Sequence, residues 1–105
     1  MEDFSGLRFT VTRLCGGIDL LVRPEKKIPI DLDRVHAQMH SEYQKSREFV
    51  NFDWNGYYIT LYPAGSILIF HENNKGSAID IARGILSEVY DEKDAEKVGY
   101  VDEKV

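Results

Sequence analysis

Two turn signals in the middle of the chain constrain its fold more than any other feature. Residues alternate from Phe49 to Trp54, the pair Asn55-Gly56 follows, and a second strand-like run extends from Tyr57 to Tyr62. Pro63-Ala64-Gly65 separates this run from a third, Ser66 to His71. Asn-Gly is the strongest short signal for a two-residue hairpin, and a period of two is typical of strands. The sequence therefore predicts a run of antiparallel strands here.

Helical periodicity on both sides of this region predicts two helices. The first is expected to begin after Asp31, an N-cap residue type, and to end around residues 40–43. The second is expected to begin at Ser77, which forms a capping box with Asp80. Side chains that would share one helix face repeat at helical spacing in both segments: Leu32, Val35, His36 and Met39 in the first, and Ala78, Ala82, Ile85, Leu86 and Val89 in the second.

The segment from Phe9 to Val22 is β-branched and apolar, and we interpret it as an extended segment interrupted by Gly16-Gly17. The order of elements then predicts an α+β fold: a curved antiparallel sheet of about five strands with two helices on one face, in the order β-α-β-β-β-β-α. A ferredoxin-like βαββαβ arrangement is the alternative. In that case Val98 to Val101 would have to supply a strand after the second helix.

The alternation also sorts the sheet residues onto two faces. The more aliphatic set should lie under the helices: Val50, Phe52, Trp54, Ile59, Leu61, Ile67 and Ile69. We interpret Trp54 as a core anchor. The other set should face away from the helices: Phe49, Asn51, Asp53, Tyr58, Thr60, Tyr62, Leu68 and Phe70. An exposed aromatic patch of this size is typical of an interface.

Length and charge limit the remaining possibilities. The chain has 105 residues, which fits one domain, here residues 1–90, followed by an acidic tail over 91–105 that we expect to fray. The tail has a net charge of −3, so the body contributes only −2 of the total of −5. A single cysteine excludes an internal disulfide, and the apolar runs are too short to span a membrane. A cytoplasmic location is expected.

No catalytic set stands out, and we expect neither an enzyme nor a cofactor nor a metal. His36 and His40 are four residues apart, but no third ligand has suitable spacing. We interpret His36, which falls on the apolar stripe, as packed and His40 as exposed. Cys15 has no recognisable histidine partner and is interpreted as a small strand residue. Gly16-Gly17 does not open a phosphate-binding helix. His71-Glu72 is interpreted as a polar strand end.

Several segments resemble one half of a TATA-box-binding protein. Arg13-Leu14-Cys15-Gly16-Gly17-Ile18-Asp19-Leu20 resembles the first strand of that family's repeat, and Asp31-Leu32-Asp33-Arg34-Val35 its first helix. Ser41-Glu42-Tyr43 lies where a short second strand is expected. The segment from Tyr58 to Ile69 is similar to the family's paired strands joined by a turn. The resemblance covers roughly residues 8–90 and implies half of a saddle-shaped sheet.

The resemblance also implies a DNA surface. Phenylalanines of the family wedge between base steps in the minor groove, and the matching positions are Phe49 and Tyr62. Residues facing the groove would be Cys15, Gly17, Thr60, Leu68 and Phe70. Arg13 stands where the family has an asparagine, and Ser66 where it has a turn lysine. Because the chain holds one half only, a complete saddle would require two chains.

Three classes of function follow, in order of preference. The first is a non-enzymatic assembly module that forms a homodimer through Phe49, Tyr58, Thr60, Tyr62, Leu68 and Phe70, joined by Cys15 and Arg13. The second is a nucleic-acid-binding protein in which Arg8, Arg13 and Arg47 contact phosphates, although the acidic charge and Asp53 oppose this. The third is a small-ligand protein that uses the sheet as a pocket floor. The second helix has a wide apolar sector, which packing on the sheet and the first helix could explain. The family resemblance implies instead that this helix receives a protein partner.

Overall fold

The computed structural model describes residues 6–14, 19–39, 42–44, 49–72 and 74–91. These residues form strands and helices in the order β1 (Phe9–Arg13), β2 (Asp19–Pro24), α1 (Leu32–Met39), β3 (Glu42–Gln44), β4 (Phe49–Trp54), β5 (Tyr57–Leu61), β6 (Ile67–Phe70) and α2 (Lys75–Val89). The predicted tail lies almost wholly outside the described residues, as do Cys15, His40 and Arg47. No helix in the described ranges is both long and apolar enough to cross a membrane.

The strands form one sheet in the order β1-β2-β6-β5-β4-β3, and every neighbouring pair is antiparallel. The predicted α+β class, with an antiparallel sheet and two helices, is confirmed. The sheet has six strands because the segment from Phe9 to Val22 contributes two strands, which pair as a hairpin. Four consecutive strands lie between the helices, which excludes the ferredoxin-like order with two strands there.

The predicted division of the sheet into two faces is confirmed. Two rows of aliphatic and aromatic side chains cross the four central strands in register, and each member is at most 5% exposed: Leu20, Ile69, Ile59 and Phe52 in one row, and Val22, Ile67, Leu61 and Val50 in the other. Both helices cover this face. Burial of each such side chain contributes about 1.5–3 kcal/mol, so this face is a major source of the stability of the fold.

The helices begin at residues that cap them. Asp31 is confirmed as the N-cap of α1, since its Oδ1 accepts a hydrogen bond from the amide of Asp33 at 3.1 Å. For α2 the prediction of Ser77 as the first capping residue is wrong. Asn74 is the N-cap, and its side chain accepts from the amide of Ser77 at 2.8 Å. Asparagine is an N-cap residue as good as serine, so the helix gains an additional turn.

The turns adopt the backbone that their residues favour. Asn55 and Gly56 have φ values of 50° and 87°, as a type I′ hairpin between β4 and β5 requires. Gly65 has φ 95°, and a Cβ there would lie 2.8 Å from Cβ of Ile28. Ile28 in turn donates its amide to the carbonyl of Ala64 at 2.9 Å. The predicted turn at Pro63-Ala64-Gly65 therefore also anchors the loop that leads into α1.

Trp54 joins the sheet to α2, as predicted for a core anchor. Its indole Nε1 donates to Oε1 of Glu88 at 2.9 Å. The six-membered ring lies over Gly84, where an added Cβ would be 2.7 Å from Cη2 of the indole. At the C-terminal end of α2, the guanidinium of Arg34 donates to the carbonyl of Val89. The two contacts fix α2 to the sheet and to α1.

Candidate binding face

The sheet face opposite the helices is the candidate functional site, and we call it the aromatic face. Three rows of side chains cross it, as the strand register shows. The middle row is Thr12, Leu21, Leu68, Thr60 and Asn51. On one side lies a row that contains Thr10, Arg23, Tyr62 and Phe49, and on the other side a row that contains Asp19, Phe70, Tyr58 and Asp53.

Each outer row contains an aromatic pair. The rings of Phe49 and Tyr62 meet edge to face, with centroids 5.8 Å apart and an interplanar angle of 63°. The rings of Tyr58 and Phe70 are tilted by 45°, with centroids 5.4 Å apart. Cross-strand aromatic pairs of this kind stabilise a sheet by about 0.5–1.5 kcal/mol beyond their area of burial. They also hold four rings in fixed positions on a surface that the helices leave uncovered.

Smaller side chains lie between the two aromatic pairs. The hydroxyl of Thr60 donates to Oδ1 of Asn51 at 2.7 Å, across β5 and β4. Thr60 is only 5% exposed, because Tyr58 and Tyr62 flank it at two residues' spacing on the same strand. The middle row therefore forms a shallow floor between two aromatic ridges.

The aromatic face is less exposed than its composition suggests. Tyr58, at 40%, is the only large hydrophobic side chain classed as exposed in the part of the chain that the structure describes. Phe49, Tyr62, Leu68 and Phe70 are all half-buried. Ring pairing and the neighbouring strands account for this, since each aromatic ring covers part of the next. The accessible part of the face is thus centred on Tyr58.

Arg13 does not join the other residues that the sequence grouped with it. It lies opposite Leu20 at the end of β1, and directly opposed residues share a face. Arg13 is therefore on the helix side of the sheet, and the prediction that it lies on the aromatic face is corrected. The reason is the hairpin between β1 and β2, since the side of a strand residue depends on the register that the turn imposes. Cys15 lies outside the described residues.

Sequence reasoning missed one cation on the aromatic face. Arg23, in β2, lies opposite Thr10 of β1. It is exposed and belongs to the same row as Tyr62 and Phe49. The sequence signal that could have found it is its spacing of two residues from Leu21, since residues two apart on a strand share a face. Carboxylates also share the face, and the register places Glu42 of β3 opposite Asn51 of the middle row as well. Asp53 is exposed at the other end of the sheet, and Asp19 accepts a hydrogen bond from the amide of His71 at 3.0 Å. The face thus carries charges of both signs around an aromatic centre.

The two described histidines, His36 and His71, do not belong to a metal site formed by described residues. No group of three or more His, Cys, Asp or Glu suited to hold a metal ion occurs within residues 6–14, 19–39, 42–44, 49–72 and 74–91. His36, predicted to be the packed histidine, is exposed, because α1 turns Leu32 and Val35 towards the core instead. Glu72, next to His71, accepts from the amide of Asn74 at 2.8 Å. That carboxylate has a structural role at the start of α2.

The apolar sector of α2 is largely used within the domain. The buried members are Ala78, Ile81, Ala82, Ile85, Leu86 and Val89. Ile79 is half-buried, and Tyr90 packs against the core. Packing on the sheet is thus sufficient to explain the width of the sector. A protein partner on this helix stays a prediction.

Comparison with known proteins gives no match: no protein-family model, no curated protein and no solved structure is significantly similar to this chain. The resemblance to the TATA-box-binding family stays a prediction. From β2 onward the element order is strand, helix, four strands and helix, which is the order that this resemblance implies. β1 is an additional strand.

Proposed function

We propose that this chain is a non-enzymatic binding and assembly module that self-associates through the aromatic face. The observation that carries the proposal is the placement of two aromatic pairs, Phe49 with Tyr62 and Tyr58 with Phe70, on the sheet face opposite the helices. Pre-positioned aromatic side chains lose little conformational entropy on binding, and aromatic residues are enriched at interfaces. A second copy is the occupant that offers the same surface.

Charge supports a twofold contact between two copies. If the twofold axis runs along the middle row, each outer row faces the opposite outer row of the partner. Arg23 of one copy then lies near Asp19 of the other, and Tyr62 lies near Tyr58. Such an isologous contact uses every pair twice, so Arg23 meets an anion and the two tyrosine rings meet each other. Phe49 then lies near Asp53 of the other copy. The same charges disfavour an axis along the strands, because that axis exchanges β2 with β4 and brings Asp19 towards Asp53 of the other copy.

The size of the face predicts a weak dimer. Six strands at about 4.8 Å spacing and five residues at about 3.4 Å each give a flat area of roughly 490 Å². A standard interface covers about 800 Å² per partner, so this contact belongs with small, transient interfaces. We therefore expect an equilibrium between monomer and dimer that depends on protein concentration.

Analytical ultracentrifugation across a concentration series tests the proposal. The wild-type protein should shift from monomer to dimer, and Tyr58→Arg should remain monomeric, because it places a charge at the most accessible ring. Ser87→Arg is the matched control, since Ser87 is exposed on α2 and the same side chain is introduced there. Circular dichroism checks that both variants are folded. A wild-type protein that stays monomeric at every concentration contradicts self-association, and an unchanged Tyr58→Arg dimer contradicts the face.

Disulfide trapping tests the direction of the axis. In a Cys15→Ser background, molecules with Tyr58→Cys are mixed with molecules with Tyr62→Cys and oxidised mildly. An axis along the middle row brings these two positions together, so the mixed pair should cross-link faster than either variant alone. An axis along the strands instead brings Tyr58 towards the partner's Phe70 position. Faster cross-linking between Tyr58→Cys and Phe70→Cys would therefore support the other axis.

A second candidate function, nucleic-acid binding, is favoured by the position of Arg23. A cation in the same row as Tyr62 and Phe49 combines a phosphate contact with rings on which bases stack. Titration of labelled oligonucleotides at several salt concentrations tests this. Arg23→Gln should lower the slope of log affinity against log salt by about 1, and Asp53→Asn should raise affinity by removing a charge that repels phosphate. Binding that neither variant changes would exclude this face.

A further inference from the structure

The hydrogen bonds of the β1–β2 hairpin show which backbone groups of β1 point away from the sheet. The amide of Glu25 donates to the carbonyl of Arg8 at 2.9 Å, and the amide of Leu14 donates to the carbonyl of Asp19 at 3.0 Å. In an antiparallel ladder, hydrogen-bonded pairs alternate with pairs whose backbone groups point outward. The even-numbered residues of β1 therefore bond to β2, and Phe9 and Val11 present their N–H and C=O groups to the outer edge.

The structure also shows where this edge begins. The carbonyl of Leu7 points outward by the same alternation, and it accepts a hydrogen bond from Nη2 of Arg83 at 3.0 Å. The guanidinium of Arg83 lies 5.5 Å from the centroid of the Phe9 ring. Within the described ranges, no group bonds to the outward backbone of Phe9 or Val11. An edge strand with such unpaired groups is a template for another strand.

Charge determines what kind of strand fits this edge. Cations are concentrated around the β1–β2 hairpin, although the chain as a whole has a net charge of −5. Those on the hairpin and the loop after it are Arg8, Arg13, Arg23, Lys26 and Lys27, against the carboxylates of Asp19, Glu25 and the buried Asp31. Residues 8–13 hold Arg8 and Arg13 and no carboxylate, so two copies of this edge repel each other, which disfavours self-pairing. An acidic segment meets the opposite sign.

We propose that the β1 edge accepts an extended acidic segment of another protein as a seventh strand. Its backbone bonds to the outward groups of Phe9 and Val11, as in other cases of strand addition. On the aromatic-face side, its acidic side chains lie beside Arg8 and Thr10, and Arg23 lies one strand further in, opposite Thr10. On the helix side, small apolar side chains continue the layer that contains Val11. The preferred ligand is therefore a segment in which acidic and β-branched residues alternate.

Fluorescence polarisation with synthetic peptides tests this proposal. The probe is a fluorescein-labelled heptapeptide of alternating glutamate and valine, and its analogues replace glutamate by lysine or methylate alternate backbone nitrogens. The acidic probe should bind and the lysine analogue should not. Two N-methyl analogues are made, one methylated at the odd-numbered and one at the even-numbered backbone nitrogens. One of them should lose binding because it lacks the N–H donors that face β1. Equal binding of both N-methyl analogues and the parent overturns strand addition.

Variants of the protein locate the site. Arg8→Glu should weaken binding roughly 2- to 30-fold, since it replaces attraction by repulsion at an exposed position. Lys75→Glu is the matched control on the exposed start of α2 and should leave affinity unchanged. Val11→Pro removes an outward N–H without removing a bond to β2, so binding should be lost while circular dichroism is retained. If that variant fails to fold, the N-methyl peptides still decide the question with wild-type protein.

Two further outcomes separate this site from the aromatic face. Tyr58→Arg should bind the acidic probe as the wild type does, because Tyr58 lies on β5, away from the β1 edge. Loss of binding in that variant would assign the probe to the aromatic face and overturn the proposal. A single-stranded oligonucleotide that binds with the same dependence on Arg8 and displaces the peptide would also overturn it, in favour of a site for phosphates.

Discussion

The contact between Trp54 and Gly84 allows a prediction whose sign depends on the background. Glycine in a helix interior costs about 1 kcal/mol relative to alanine, so Gly84→Ala should stabilise α2 on propensity alone. In the folded protein, however, the new Cβ would lie 2.7 Å from Cη2 and 3.0 Å from Cζ2 of the indole. Overpacking of this kind costs about 1–3 kcal/mol.

The two effects oppose each other, and the indole decides which one is larger. The ring is rigid and its Nε1 is held by Glu88 at 2.9 Å, so a shift that relieves the contact also weakens that hydrogen bond. We expect Gly84→Ala to lower the free energy of unfolding by about 0–2 kcal/mol in the wild type. In a Trp54→Leu background the ring is absent, and the same substitution should raise the free energy of unfolding by about 1 kcal/mol.

Urea unfolding of the four proteins, followed by far-UV circular dichroism, measures this double-mutant cycle. The expected coupling between the two positions is about 1–3 kcal/mol, well above the error of such cycles. Far-UV detection is needed because the variant lacks the single tryptophan of the chain. Additive effects, with Gly84→Ala equally stabilising or destabilising in both backgrounds, would refute the reasoning, because they would mean that the indole does not restrict residue 84.

Two further substitutions test the start of α2 and the floor of the aromatic face. Asn74→Ala should destabilise the protein by about 0.5–2 kcal/mol because it removes the N-cap of α2. Ser77→Ala keeps the backbone donor and should change the melting temperature little. A larger effect of Ser77→Ala than of Asn74→Ala would place the cap at Ser77. Thr60→Val keeps a branched strand residue but leaves Oδ1 of Asn51 without its donor, which should lower the stability measured by thermal unfolding by about 1–2 kcal/mol. Thr10→Val, at an exposed position, is the control. An equal loss of stability in both variants would contradict the role of the hydrogen bond between Thr60 and Asn51.

Local chemistry determined the central part of this fold. Asn-Gly tolerates the positive φ values that a type I′ turn requires, so the hairpin between β4 and β5 follows from residues 55 and 56 alone. Once that turn is set, a period of two places Ile59 and Phe52 on one face and Tyr58 and Thr60 on the other. Both faces, and the aromatic composition of one of them, were therefore predictable from the sequence.

Tertiary contacts decided the features that local patterns leave open. The pairing of β1 with β2 moved Arg13 to the helix side and brought Arg23 onto the aromatic face, because the face of a residue depends on its partner strand. Packing against the sheet turned Val35 inward and left His36 exposed. The identity of the edge strand also depends on the complete strand order. A sequence pattern gives the side of each residue relative to its neighbours, but only the assembled sheet decides which residues meet solvent, a helix or a free edge.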